Sequence, residues 1–269
     1  MESKSICLSI IGGGVMAEAI LSRLLVTQVF VANTVLVSEP SPERRDFLAQ
    51  KYQVRVTADN QVAISDAQIL LLAIKPQVFD LVVANITPNP NSTVISILAG
   101  VTINKLEQAF SQQPVIRVMP NTPATVGAGM TAIAPGTYAK AEHIEQAKSI
   151  FSAVGEVVEV NESSMDAVTG LSGSGPAFVA LVIEALADGG VASGLPRAIA
   201  LQLATQTVLG TATLVKETGI HPGVLKDRVT SPGGTTIAGV AKLESVGFRS
   251  ALIEAVKTAT ARSQELGQQ

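Results

Sequence analysis

The sequence has few charged residues, and their small number and balanced signs exclude several classes of protein. Together Lys, Arg, Asp and Glu make up 15% of the 269 residues, whereas a typical soluble domain has roughly 25%. Nineteen basic and 22 acidic residues give a formal net charge of −3, and no basic stretch is interleaved with aromatic residues. A nucleic-acid-binding or membrane-surface protein is therefore not expected.

Cysteine and histidine are also scarce. Cys7 is the single cysteine, so no disulfide can form within the chain, and a reducing, cytoplasmic setting is expected. No signal peptide is expected, because the first residues run directly into an apolar strand pattern. With two histidines beside the one cysteine, a metal site built from these ligands is not expected either.

Two long stretches, 167–183 and 198–215, contain no charged residue. The second is long enough to span a bilayer, but its glutamines and threonines make that interpretation poor. Helices without a charged face are usually buried on all sides, and one small domain has little room for two of them. We expect burial against another subunit, with a hydrophobic monomeric core as the alternative.

The chain divides into two regions of different pattern. Short apolar runs alternate with helical spacing over the first 160 or so residues, which predicts a doubly wound α/β domain with a mostly parallel sheet covered on both faces. After Asp166 the strand-like runs give way to long segments rich in Ala, Leu, Val and Thr, which predict an all-α domain. The predicted domains are residues 1–161 and 162–269.

The same patterns predict individual elements. Gly194 before Pro196, and Gly219 before Pro222, are typical of a helix end followed by a helix start. The predicted strands are Ser5–Ile11, Thr34–Val37, Gln53–Val56, Ile69–Ile74, Thr93–Leu98, Val115–Met119, Met130–Ile133 and Val157–Val160. The predicted helices of the second domain cover roughly residues 175–188, 196–217, 222–229, 235–245 and 248–266.

A glycine-rich turn joins the first predicted strand to the first helix, and it fits the G-x-G-x-x-[GA] pattern of nicotinamide dinucleotide sites. In that pattern Gly12 allows the tight turn, Gly14 lets the backbone approach a pyrophosphate, and Ala17 lets helix and strand pack closely. The helix N-terminus would then hold the phosphates. A turn needed only for packing is the alternative. The residues of the turn are Gly12, Gly13, Gly14, Val15, Met16 and Ala17.

The residues after the second strand bear on the form of the dinucleotide. An acidic residue such as Glu39 normally binds the ribose hydroxyls and favours NAD. Ser38 could instead bind a 2′-phosphate, and Arg44 and Arg45 follow closely. The two arginines could equally form an exposed helix face, so these residues leave the 2′ position open.

Four further segments place polar or small residues where ligands bind. Lys75, before Pro76, follows the fourth strand, where it is either a ligand contact or an ordinary surface lysine. Two prolines bracket Asn121 and Thr122 in a rigid turn that either faces a nicotinamide or only shapes the chain. The loops at 171–177 and 231–236 open helices whose N-termini bind a small carboxylate or are simply capped.

Together these motifs make the sequence resemble the pyrroline-5-carboxylate reductase family, which catalyses the last step of proline synthesis. The resemblance implies a Rossmann domain followed by a helical dimerisation domain, with interlocking helices and an active site shared between the subunits of at least a dimer. Besides the glycine turn, it rests on Ala73–Pro76, Ala99–Val101, Met119–Pro123, Asp166–Ala177 and Ser231–Thr236.

The resemblance also implies site residues and a cofactor, NADPH, with NADH as the alternative. Arg228 stands where Asn is frequent, and Glu39 stands where a small polar residue is expected, which weakens a strict NADPH preference. Beyond the glycine turn, cofactor contacts would fall on Ser38, Pro40, Asn60, Ala73, Ile74, Lys75, Pro76, Ala99 and Arg228. Substrate contacts would fall on Glu162, Ser172, Gly173, Thr235 and Thr236.

The implied substrate is a cyclic imine with a carboxylate. Once protonated, its C=N carbon accepts a hydride from the nicotinamide with little acid–base machinery. Thr236 is the one predicted catalytic residue, with its hydroxyl bonded to the ring nitrogen, whereas His143 and His221 are expected to be structural. One alternative is a β-hydroxyacid or other imine oxidoreductase of similar architecture. That chemistry needs a catalytic lysine on the first helices of the second domain, and residues 167–183 and 198–215 contain none. The other alternative is a non-catalytic NAD(P)-binding sensor.

Overall fold

The computed structural model describes residues 6–267. The chain forms two compact units, one containing the residues up to Gly173 together with those from Thr258 onward, and the other containing Ser174–Lys257. The division at residues 161 and 162 stays a prediction about the domains. The predicted strand at Ser5–Ile11 begins outside the described residues.

An eight-stranded sheet forms the centre of the first unit, in the order β3-β2-β1-β4-β5-β6-β7-β8. All neighbouring strands are parallel except the antiparallel pair β6 and β7, so the predicted mostly parallel, doubly wound sheet is confirmed. The chain order reverses between β1 and β4, where ligands bind in such sheets. The strands are Leu8–Ile11 (β1), Val35–Ser38 (β2), Arg55–Thr57 (β3), Ile69–Leu72 (β4), Thr93–Ser96 (β5), Val115–Met119 (β6), Gly129–Pro135 (β7) and Gly155–Glu159 (β8).

Helices cover both faces of this sheet, because alternate strand residues enter two different cores. In β4, Ile69 and Leu71 join the core that α1, α2 and α6 cover, and Leu70 and Leu72 join the core that α3, α4 and α5 cover. The helices of the first region are Val15–Val26 (α1), Pro42–Tyr52 (α2), Asn60–Ile64 (α3), Phe79–Val83 (α4), Ile103–Ala109 (α5), Ala141–Ser152 (α6) and Met165–Val168 (α7).

The remaining chain is helical, as predicted. The first long helix continues four residues beyond its predicted end at 188, through Gly189 and Gly190. A Cβ on Gly190 would lie 3.0 Å from the Cβ of Ala200, so the glycine permits close packing of two helices instead of ending one. The helices are Gly175–Ala192 (α8), Arg197–Thr218 (α9), Pro222–Arg228 (α10), Thr235–Ser245 (α11) and Phe248–Gly267 (α12).

The helices α8 and α9, which contain most of the two charge-free stretches, expose apolar side chains in the single chain. Leu181 on α8 is 63% exposed and Leu209 on α9 is 58% exposed. The buried cluster between these helices consists of Ala187, Ala200 and Ala204. By length and composition alone, the helical segments Glu162–Ala192 and Arg197–Thr218 could also cross a membrane.

Candidate functional site

The glycine turn begins where β1 ends, and Gly12 has a backbone that only glycine adopts readily. Its φ is +98°, and a Cβ at this position would lie 2.7 Å from the carbonyl oxygen of Ala73. The Gly12 N–H donates to the Ser38 carbonyl at 2.8 Å, and the Ala73 N–H donates to the Ile11 carbonyl at 2.9 Å. The turn is therefore fixed against the ends of both neighbouring strands.

The next two glycines differ in the space beside them, since Gly13 is packed against the protein and Gly14 faces open space. A Cβ on Gly13 would lie 2.8 Å from Cδ1 of Leu48, whereas a Cβ on Gly14 would meet nothing within 4 Å. Gly14 is also the N-cap of α1, whose first N–H groups have no acceptor within the helix. Val15 is exposed, and Ala17 is buried in the first core. The open backbone and helix N-terminus make an anion site that fits a pyrophosphate.

The end of β2 brings two of the predicted cofactor residues together. The Ser38 hydroxyl donates to Oδ1 of Asn60 at 2.6 Å, and Ser38 is only 1% exposed. Glu39 follows, with Oε2 accepting from the Gly13 N–H and Oε1 from the Ser41 N–H, both at 2.9 Å. Pro40 is exposed beside them.

Both arginines that follow β2 bind groups of the protein. Arg44 donates from Nε to the Gly13 carbonyl at 2.6 Å and forms an ion pair with Glu18 at 2.5 Å. Arg45 donates to the carbonyls of Glu39 and Pro40 at 2.7 and 2.8 Å. The sequence left two roles open for these arginines, a solvated helix face and a phosphate contact. Their hydrogen bonds to protein groups match neither role fully.

Glu18 on α1 anchors this network. Burial alone would raise the pKa of its carboxyl, but hydrogen bonds from Tyr52, Arg44 and Lys51 together lower the pKa to about 2. The Tyr52 hydroxyl donates at 2.7 Å and the Lys51 ammonium at 3.0 Å. At neutral pH the carboxylate is therefore charged, and it holds α2 and the Arg44 side chain against the glycine turn.

The other predicted cofactor residues of the first unit also lie at this edge of the sheet. Lys75 is exposed and precedes a 3-10 turn that begins at Pro76, just after β4. Ala99 is exposed shortly after β5. Because β2, β1, β4 and β5 are parallel neighbours, their carboxyl ends form one continuous edge. Asn60 begins the helix that follows β3, at the same edge.

Glu162 is held in place by two donors that the sequence does not reveal. Its Oε1 accepts from the Ile103 N–H at 2.6 Å and from the Arg117 guanidinium at 3.1 Å. Arg117 is 6% exposed. The only sign of its role in the sequence is that it is a lone charged residue in the apolar strand β6. Glu162 borders a polar cavity of about 390 Å³ whose lining includes Glu159 and Asn161.

Asn121 joins two of the predicted motifs. Its side-chain amide donates to the carbonyl and the hydroxyl of Ser172 at 3.1 and 3.3 Å, and its Oδ1 accepts from the Met130 N–H at 2.8 Å. Ser172 and Gly173 lie in a π-helical turn, Thr169–Gly173. In this structure Asn121 therefore positions the predicted substrate loop.

The predicted residues of the second unit occupy two helix ends. Thr235 and Thr236 are the first residues of α11, after the N-cap Gly234, with Thr235 exposed and Thr236 half-buried. The orphan N–H groups of such an N-terminus suit a carboxylate. Arg228 is the exposed last residue of α10.

The histidines make capping contacts. His143 Nδ1 accepts from the Lys140 N–H at 2.9 Å at the start of α6, and His221 Nδ1 accepts from the Gly223 N–H at 3.1 Å at the start of α10. Within residues 6–267, no group of three or more His, Cys, Asp or Glu side chains is arranged to hold a metal ion.

Comparisons with known proteins cover both parts of the chain. Residues 162–266 match the family described as pyrroline-5-carboxylate reductase dimerisation, and residues 7–100 match the family described as NADP oxidoreductase coenzyme F420-dependent. The chain is 62% identical to a pyrroline-5-carboxylate reductase from Synechocystis over 98% of this chain and 99% of the relative. It is 44% identical to one from Arabidopsis thaliana over 100% and 98% of the two chains.

Solved structures agree along the whole chain. A pyrroline-5-carboxylate reductase from Coxiella burnetii superposes with a TM-score of 0.89 at 34% identity, covering 98% of this chain and 99% of that one. A Plasmodium falciparum pyrroline carboxylate reductase with NADP bound gives a TM-score of 0.89 at 31% identity, covering 97% and 98%. The family predicted from the motifs is confirmed: the chain belongs to the pyrroline-5-carboxylate reductases.

Proposed function

We propose that this chain reduces the C=N bond of 1-pyrroline-5-carboxylate to give proline, with a nicotinamide dinucleotide as the hydride donor. The observation that carries the proposal is the 62% identity to a pyrroline-5-carboxylate reductase over 98% of the chain. That match includes both the glycine turn and the loop at 231–236. The cytoplasmic location expected from the single cysteine stays a prediction.

The described residues fit the dinucleotide. The open backbone at Gly14 and the N-terminus of α1 would hold the pyrophosphate, and the segment from Ala73 to Pro76, with Ala99, would line the cleft at the strand ends. The nicotinamide supplies the hydride once bound. The sequence favours NADPH by family resemblance, with NADH as the alternative, and both forms carry the same reactive ring.

The protein's contribution is to position the imine. The N–H groups of Thr235 and Thr236 would bind the substrate carboxylate, and the Thr236 hydroxyl would bond the ring nitrogen. Glu162, fixed by Arg117 and the Ile103 N–H, would place its carboxylate near the cationic side of the protonated imine.

The apolar faces of α8 and α9 are proposed to pack on a second copy of the chain. These helices lie in the region that matches the dimerisation family, which favours a protein partner over lipid for the exposed leucines. A dimer, or a larger assembly of dimers, would then complete each active site with residues of both subunits. Neither a nucleic acid nor a membrane is part of this proposal.

The assay follows the absorbance of NADPH and of NADH after addition of 1-pyrroline-5-carboxylate. Oxidation of either cofactor with formation of proline is expected. Thr236→Ala is expected to raise KM and lower kcat by about tenfold each, since one hydrogen bond to the reacting group is lost, while dinucleotide affinity stays unchanged.

Two results would contradict the proposal in different ways. Binding of dinucleotide without oxidation of either form by the imine would favour the sensor alternative. Reduction of NAD(P)⁺ by a β-hydroxyacid, with no imine turnover, would favour a dehydrogenase. Unchanged kinetics of the Thr236→Ala variant would remove Thr236 from the mechanism and leave the overall reaction in place.

A further inference from the structure

The carboxylate of Glu39 is fixed by the backbone beside the glycine turn. It accepts one hydrogen bond from the Gly13 N–H and one from the Ser41 N–H, both at 2.9 Å. Both donors are backbone groups, so the position of the carboxylate follows from the fold and does not depend on a flexible partner. A Cβ on Gly13 would come within 3.2 Å of the same Oε2, so the turn leaves room for this acid.

An acid in this place acts on the adenosine ribose of a dinucleotide. In Rossmann domains, the acidic residue about 20 positions beyond the glycine motif accepts hydrogen bonds from the ribose hydroxyls. A 2′-phosphate would bring roughly −1.5 to −2 charges to the same position. Repulsion between like charges is strong where water is partly excluded, so the carboxylate of Glu39 disfavours the phosphorylated cofactor.

The two arginines that follow Glu39 in the chain are held by groups of the protein. A 2′-phosphate site usually includes an arginine, but Arg44 binds the Gly13 carbonyl and the Glu18 carboxylate. Arg45 donates to the carbonyls of Glu39 and Pro40. The pKa of Glu18 is lowered to about 2, because its hydrogen bonds outweigh the effect of burial, so its pairing with Arg44 persists at neutral pH.

The hydroxyl group next to Glu39 in the sequence, that of Ser38, is also bonded within the protein. Ser38 is 1% exposed, and its Oγ donates to Asn60 at 2.6 Å. It therefore lies inside the fold at the end of β2 and does not present its hydroxyl to a phosphate. The fixed carboxylate, the arginines held by protein groups and the buried serine all disfavour a 2′-phosphate at this position.

We infer that Glu39 is a specificity-determining residue, through which this chain selects NADH over NADPH. It would accept hydrogen bonds from the ribose hydroxyls of NADH and repel the 2′-phosphate of NADPH. The inference rests on the proposed function in one respect: it names which dinucleotide is the hydride donor of the proposed reaction. It departs from the NADPH preference that the family resemblance favours.

The test measures dissociation constants of NADH and NADPH for the full chain, by nicotinamide fluorescence and without substrate. NADH is expected to bind at least about tenfold more tightly, where tenfold corresponds to 1.4 kcal/mol. Glu39→Ser is expected to shift the ratio of the two constants by about tenfold or more towards NADPH. Glu39→Gln, which removes the charge and keeps the shape, is expected to give an intermediate ratio.

Glu43→Ser is the matched control, because Glu43 is an exposed acid on the first turn of α2, four residues beyond Glu39 in the chain. It removes the same charge, and the ratio is expected to stay unchanged. Thermal unfolding of each variant checks that the fold is kept.

Tighter binding of NADPH by the unchanged chain would overturn the inference, and so would equal shifts in the Glu39→Ser and Glu43→Ser variants. The ratio of kcat/KM values with 1-pyrroline-5-carboxylate should follow the ratio of affinities. If affinity follows Glu39 but neither cofactor is oxidised by the imine, the inference is supported and the proposed function fails.

Discussion

The two units use apolar residues in opposite ways. The first buries them in two cores, one on each face of its sheet. The second, over Ser174–Lys257, buries the small cluster of Ala187, Ala200 and Ala204 and leaves leucines of both long helices exposed. A chain gains roughly 25 cal/mol for each Å² of apolar surface that it buries. The first unit therefore gains this stabilisation within one chain, whereas the second is expected to gain more of it on the proposed association with a second copy.

The largest expected effect comes from a charge placed on the exposed apolar face. Leu209→Glu on α9 puts a carboxylate where a second copy is expected to pack. An unpaired buried charge costs about 3–5 kcal/mol, so association should weaken by at least about a hundredfold. Light scattering after size exclusion should show a shift towards monomer, with loss of activity.

Leu81→Glu is the control for that variant. Leu81 on α4 of the first unit is 69% exposed and lies outside the region that matches the dimerisation family. It should leave the mass and the activity unchanged. An assembly that survives Leu209→Glu at micromolar concentration would mean that the exposed face of α9 is not the interface.

A smaller effect is expected from the glycine turn, which is complete within the first unit. Gly12→Ala forces a side chain into a backbone with φ of +98°, against the Ala73 carbonyl. Such strain costs about 1–3 kcal/mol of stability, so the melting temperature should fall. Dinucleotide affinity should fall by roughly ten- to hundredfold, because a turn that shifts to relieve the strain no longer presents its backbone to the pyrophosphate in the same place. Fluorescence titration and thermal unfolding measure the two effects.

Gly14→Ala separates folding from binding at the same turn. Its Cβ would meet no protein atom within 4 Å, so the melting temperature should not fall. Dinucleotide affinity should still fall, because the proposed site has the pyrophosphate approach the backbone of Gly14. If Gly14→Ala binds as tightly as the unchanged chain, the pyrophosphate lies elsewhere.

The sheet and the glycine turn could be predicted from the sequence because each depends on residues that are close together in the chain. Strand β4, for example, is a continuous apolar run from Ile69 to Leu72, and the glycine spacing marks the turn without any distant residue. The end of α8 was predicted too early, because Gly189 and Gly190 look like a helix end in the sequence, whereas Gly190 instead permits close packing against Ala200 of α9.

Contacts between distant residues could not be predicted in this way. The hydrogen bonds from Arg44 to Glu18 and from Arg117 to Glu162 join residues that are 26 and 45 positions apart. No periodicity marks such pairs, so the sequence left open whether Arg44 would be solvated or would bind a phosphate. Burial of Ser38 likewise depends on β3 and α3 beside it and not on its own neighbours in the chain.

The smallest expected effect concerns ion pairs, in which the two units again differ. Glu18 of the first unit is only 20% exposed, and its pKa is lowered to about 2 because hydrogen bonds from Tyr52, Arg44 and Lys51 outweigh burial. A lowered pKa adds stability above the ordinary value of 4.5, and this stability is lost as the pH falls towards 2. Glu18→Gln should therefore reduce the free energy of unfolding by about 1–3 kcal/mol at pH 7.

The difference between the unchanged chain and Glu18→Gln should shrink below pH 5 and vanish near pH 2, which urea unfolding at several pH values can follow. Glu254→Gln is the counterpart in the second unit, where Glu254 pairs with Lys257 at 2.9 Å but is 60% exposed. Exposed pairs contribute about 0–1 kcal/mol, so this variant should change stability little at any pH. Equal losses in both variants would show that the Glu18 network stabilises the first unit no more than a surface pair does.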